Sequence, residues 1–138
     1  MISLTRRYAF PAAHVLRHPA LADDENRRIY GKCANPAGHG HNYAIEVTVA
    51  GPQDERTGRI LDPARLDELV AERVLARFSH RMLNEDPAFR SLVPTAENIA
   101  RVVHREVAAA LPSLGSARLL RIRVHETRKN SFVYGEPE

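Results

Sequence analysis

From Ile2 to Phe10 the chain alternates, with Ile2, Leu4, Tyr8 and Phe10 on one side and Ser3, Thr5 and Arg7 on the other; Arg6 alone breaks the apolar side. A period of two belongs to a half-buried strand, because successive side chains leave the backbone on opposite faces. The same period returns in HNYAIEVTVAG (41–51), where Tyr43, Ile45, Val47 and Val49 share a face. Between them, residues from about 11 to 38 show no period and read as one long irregular loop. Loops of that length inside compact domains are commonly functional.

The period then becomes helical. Leu66, Leu69, Val70, Val74 and Phe78 recur at three- and four-residue spacing behind Asp62 at the N-cap and Pro63 in the first turn. A second helix opens at Thr95, with Glu97 where the helix dipole favours an anion. Its stripe is Ile99, Val102, Val103, Val107, Ala110 and Leu111, and Pro112 stops it. Leu120, Ile122 and Val124 mark a third strand, and Phe132 and Tyr134 a fourth, joined through RKN as a hairpin. The order ββααββ predicts one α+β domain over residues 1–138, a four-stranded antiparallel sheet with two helices on one face. The other face carries Ser3, Thr5, Arg7, Glu46, Thr48, Arg121 and Arg123. Its open edge strands invite pairing with another subunit.

Composition narrows the function classes. Twenty Lys and Arg against 17 Asp and Glu give a net charge of +3. The basic pairs Arg6–Arg7 and Arg27–Arg28 are short and separated, and aromatics are 6% of the chain. Nucleic-acid binding needs a concentrated basic face with stacking aromatics, so no nucleic-acid partner is expected, whereas a small anionic substrate fits. No apolar run is long enough for a membrane span, and MISLTRRYAF lacks the apolar core of a signal peptide. A cytoplasmic protein without a membrane partner is the expectation. Cys33 is the only cysteine, so no internal disulfide can form.

The chemistry concentrates in GKCANPAGHGHNY (31–43). His39 and His41 point to one side of the second strand, where two imidazoles can chelate one ion. If the first two strands pair antiparallel, His14, just past the end of the first, lies beside them and is the favoured third ligand, with His18 in reserve. His18, His104 and His125 otherwise read as surface histidines. Cys33 reads equally as an inert thiol or as a reactive thiolate favoured by Lys32, Arg27, Arg28 and a nearby metal. Glu126 continues the apolar face of Leu120, Ile122 and Val124, where a carboxylate must be paired or bound to a ligand. Arg81 is one partner; the NH and NH2 edge of a flat heterocycle is the other.

Together these residues resemble the 6-pyruvoyltetrahydropterin synthase and 6-carboxytetrahydropterin synthase family. The resemblance is carried by FPAAH (10–14), CANPAGHGHNY (33–43), GRILDPARL (58–66), SHRMLN (79–84), PTAEN (94–98) and HETRKNSFVY (125–134), in the family's order. It implies the tunnelling fold (T-fold), in which three sheets close into a barrel and two trimers stack as a homohexamer. It implies Zn2+ on His14, His39 and His41, Cys33 as the base, and His80 as proton carrier on the opposite side. Glu126 would grip the pterin ring, helped by the Thr95 region. Five residues separate Cys33 from His39, as in the pyruvoyl-forming type, which implies triphosphate elimination from 7,8-dihydroneopterin triphosphate with internal redox of the side chain. The alternatives are the carboxy-forming reaction on the path to queuosine and other deazapurines, or a non-catalytic module with Cys33, His39 and His41 as closed zinc ligands. Ser79 stands where the family usually has an aspartate before the motif histidine. A hydroxyl can orient an imidazole but cannot stabilise its cation as a carboxylate does.

Overall fold

The computed structural model describes residues 1–138. The elements are β1 (Ile2–His14), α1 (Asp23–Tyr30), β2 (His39–Gly51), α2 (Pro63–Val70), α3 (Ala96–Ala110), β3 (Arg118–His125) and β4 (Ser131–Gly135). After Val70, α2 runs on through a π turn (Ala71–Leu75) to a last turn ending at Phe78. All strand pairs are antiparallel, in the order β1-β2-β3-β4.

The two expected helices pack where their stripes require. Tyr43, Ile45, Val47 and Val49 are fully buried in one core with Leu66, Val70, Val74 and Phe78 of α2 and Ile99, Val103 and Val107 of α3. Asp62 caps α2 by accepting from the Ala64 N–H at 2.9 Å, and Thr95 caps α3 by accepting from the Asn98 N–H at 3.2 Å. Arg6, the breach in the apolar side of β1, lies at the rim of this core. Its guanidinium donates to both oxygens of Asp67 on α2, at 3.1 and 2.6 Å, and the Tyr8 hydroxyl donates to the same carboxylate at 2.7 Å. On the opposite, polar face Thr5 and Thr48 share a hydroxyl hydrogen bond of 2.8 Å, and Glu46 pairs with Arg123 and His125.

Two expectations are corrected. β1 does not end at Phe10; it runs to His14, with Phe10, Ala12 and His14 buried on the core side. Pro11 is tolerated because β1 is an edge strand. Its carbonyl points outward to the His80 N–H, so its missing N–H lies on the side that has no strand to satisfy. The stretch from 11 to 38 is also not irregular throughout, since it holds a third helix, α1. That helix has no apolar stripe to announce it; it is organised by Asp23, Asp24 and Glu25 in the first turn and Arg27 and Arg28 in the last.

Candidate metal centre and active site

The strand register assembles the centre. His14 at the end of β1 stands directly opposite His39 at the start of β2, and His41 stands opposite Ala12. All three side chains leave the core-side face, and their ligand nitrogens lie within 4.8 Å of one another. His14 Nε2 is 2.9 Å from His39 Nε2. His14 Nδ1 is 2.7 Å from the Pro94 carbonyl, which can only accept, so Nδ1 carries the proton and Nε2 turns a lone pair to the centre. The Tyr43 hydroxyl lies 3.1 Å from the same Nδ1.

This donor set fits a metal ion. Tetrahedral Zn–N bonds of about 2.05 Å would place nitrogens about 3.3 Å apart, near the 2.9 Å between His14 and His39, and three protein ligands leave a position for substrate. Burial pushes the His14 imidazole down to about 4, and burial with the nearby His41 lowers His39 too. Both rings are therefore held in the neutral form that ligation needs. The consequence for the metal-free chain has a definite sign. Between pH 6.5 and 4 the unfolded His14 binds a proton that the folded ring refuses, so folding stability is full above 6.5 and falls as pH drops towards 4. The loss from His14 should be roughly 3 kcal/mol. Urea titrations of the chelated protein at pH 7 and pH 4.5 measure it; equal midpoints would contradict the buried neutral ring.

Backbone geometry tightens the approach to the centre. Gly38 has φ +75°, and a Cβ there would sit 2.8 Å from Met82 Cε and 3.4 Å from the His14 carbonyl. Glycine thus lets the chain turn into His39 against β1. Segment 79–84 is fastened along the outer edge of β1. The His80 N–H donates to the Pro11 carbonyl at 2.6 Å and the Ala13 N–H to the Arg81 carbonyl at 2.9 Å. The Asn84 amide bonds both the N–H and the carbonyl of Val15, at 2.8 and 2.9 Å. Arg77 holds the far side through Asp86 at 2.8 Å and Glu106 at 2.9 Å.

Cys33 lies on a single 3-10 turn, Gly31–Ala34, whose Cys33 carbonyl accepts from the Leu16 N–H at 2.9 Å. The thiol is half-buried and outside the ligand set, so His14 and not Cys33 completes the trio with His39 and His41. Glu126 ends the apolar face of β3, with Oε2 4.0 Å from His14 Nε2 and the side chain 16% exposed. It forms no ion pair with Arg81; it faces the imidazoles of the centre instead. Thr95 spends an oxygen lone pair as the α3 cap, and the adjacent Pro94 carbonyl orients His14.

No hydrogen bond joins His80 or Ser79 to Cys33. His80 has φ 60° and is exposed, and neither its ring nor the Ser79 hydroxyl makes a hydrogen bond. His18 stays outside the trio, its ring accepting from the Ala20 N–H at 3.0 Å. His104 stacks edge-on against Tyr134, and His125 pairs with Glu46 on the polar face. Three contributors escaped the sequence reading: Pro94, Tyr43 and Asn84. A carbonyl oxygen has no side-chain signature, and Asn84, though it closes the SHRMLN motif, carries no local sign of the strand edge that it ties down. Tyr43 gave one usable sign, since it shares the face of His39 and His41 on β2.

Comparison with known proteins agrees with this geometry. The model of the family described as 6-pyruvoyl tetrahydropterin synthase matches residues 3–137. A 6-pyruvoyl tetrahydrobiopterin synthase of Poecilia reticulata is 42% identical over 95% of this chain and 88% of its own length. The solved 6-pyruvoyl tetrahydropterin synthase of Caenorhabditis elegans superposes with a TM-score of 0.89 at 34% identity, over 99% of this chain and 96% of that one. A 6-carboxy-5,6,7,8-tetrahydropterin synthase of Bacillus subtilis is more distant, 29% identical over 85% of this chain and 80% of its own length.

Proposed function

The chain belongs to the 6-pyruvoyl tetrahydropterin synthase family, and from that premise we propose that it is a zinc-dependent lyase that eliminates triphosphate from 7,8-dihydroneopterin triphosphate to give 6-pyruvoyltetrahydropterin. The observation that carries this reading is the convergence of three imidazoles beside the Glu126 carboxylate, with the one thiol of the chain outside the ligand set. The reaction needs no outside oxidant, because the ring gains the two electrons that the side chain gives up.

Each residue has a task the geometry suits. Glu126 accepts hydrogen bonds from the ring NH and NH2, which places the substrate side chain over His14, His39 and His41. Zinc held there supplies Lewis acidity to the side-chain oxygens and so acidifies the adjacent C–H. Cys33, as thiolate, takes that proton. The strained His80 moves a proton on the opposite side, and the Thr95 cap keeps the Pro94 carbonyl aimed at His14. In this reading the site lies at a subunit boundary, where His80 would serve it. The outer edges of β4 and of β1 before Pro11, which segment 79–84 does not cover, support the homohexameric barrel, three sheets per ring and two rings stacked. No helix is long and apolar enough to cross a membrane.

Incubation of the purified protein with dihydroneopterin triphosphate and mass analysis of the products tests the reading. The pyruvoyl product with free triphosphate is expected; loss of acetaldehyde would identify the carboxy-forming reaction instead. The same assay on Ser79→Asp tests the proton relay. A carboxylate beside His80 stabilises its cation, so turnover should rise several-fold. An unchanged or lower rate would count against the relay.

A further inference from the structure

We propose that a basic cavity beside the thiol turn seats the substrate's triphosphate, an inference that rests on reading the chain as a lyase of a pterin triphosphate. The cavity measures about 440 Å³. Arg17, Arg27 and Lys32 line it, with Asp23 as its one carboxylate, a formal balance of three cations against one anion, or +2. Much of the wall is apolar, formed by Val15, Ala34, Pro36 and the aliphatic stems of the basic side chains, so what suits it to a polyanion is the excess of cationic heads that it carries.

Its place in the chain ties it to the chemistry. Val15, which follows His14, is in the wall, and so are Lys32 and Ala34, which flank Cys33. The Leu16 N–H to Cys33 carbonyl bond joins the two segments. The cavity is also built in advance of any ligand. Asn26, only 2% exposed, binds the His18 N–H at 2.8 Å and the His18 and Leu21 carbonyls at 3.2 Å each, which fixes the loop carrying Arg17 over α1.

The cations are available. Lys32 has no ion pair. Arg17 sits 3.3 Å from Asp23, and Arg27 3.7 Å from Asp24, in solvent-exposed pairs worth little in water. Guanidinium forks and an ammonium are the groups that grip phosphate oxygens best. They would also stabilise the charge that builds on the leaving triphosphate as its C–O bond breaks. Arg128 and Lys129, on the β3–β4 hairpin, lie outside this wall.

The test pairs kinetics with direct binding of inorganic tripolyphosphate by calorimetry. Arg17→Ala and Lys32→Ala should each raise KM and the tripolyphosphate Kd together by about tenfold, the worth of one charge-assisted hydrogen bond. Asp23→Asn should lower both, and bound metal should stay unchanged in all three. Arg59→Ala, remote from this cavity, is the control. Turnover with unaltered KM and Kd in Arg17→Ala and Lys32→Ala overturns the inference, as does a wild-type protein that binds no tripolyphosphate. A wild-type protein without turnover refutes the lyase reading alone; binding that Lys32→Ala abolishes would still support the polyanion seat.

Discussion

Replacing His14 with alanine should empty the metal centre: bound metal falls from one ion per chain to nearly none, and turnover drops by about a thousandfold or more. A Lewis acid at a reacting oxygen is worth several kcal/mol, and each 1.4 kcal/mol is a factor of ten in rate. His14 is the fully buried member of the trio and the one whose tautomer the Pro94 carbonyl fixes, so its loss leaves His39 and His41 as a weak bidentate pair. Metal analysis after gel filtration separates this outcome from unfolding, provided that the circular dichroism of the variant is native. Full metal occupancy in a folded His14→Ala protein would mean that the ligands are other residues.

Cys33→Ala should give the opposite pattern. The thiol lies outside the ligand set, and its turn is held by the Cys33 carbonyl rather than by its sulfur. Fold and metal content should therefore be unchanged while, if Cys33 is the proposed base, kcat falls by roughly 10²–10⁴, the usual range for removing a positioned base. KM should move little if, as proposed, Glu126 and the imidazoles hold the substrate. Loss of metal on this substitution would make the sulfur a ligand and replace the catalytic account with a structural one. The two variants thus divide the centre into a part that holds the ion and a part that moves a proton.

Much of this was legible in the sequence, for identifiable reasons. The period of two in β2 put Tyr43, Ile45, Val47 and Val49 on one face, and the same parity carried back to His41 and His39. Asp62–Pro63 and Thr95 fixed two helix starts because an N-cap is a local device that reads only its own next turn. Glu126 betrayed itself by parity alone, a carboxylate where the core side of β3 should continue. Six motifs in the right order then identified the family, which single motifs of this size could not.

Other features depended on contacts that no local pattern encodes. The extension of β1 to His14 is invisible because Pro11, Ala12 and Ala13 carry no alternation; pairing with β2 and fastening by segment 79–84 impose it. Helix α1 has no stripe, since its buried residue is Asn26, whose role is to tie a loop. The sequence by itself determined which residue types could bind an ion and take a proton, and on which faces of their elements they stand, because parity and capping are properties of neighbours in the chain. Only the tertiary structure decided that His14 meets His39 in register, that a backbone carbonyl from the start of α3 sets its tautomer, and that Arg17, Arg27 and Lys32 share one cavity. Those relations join residues far apart along the chain, and packing, not periodicity, brings them within bonding distance.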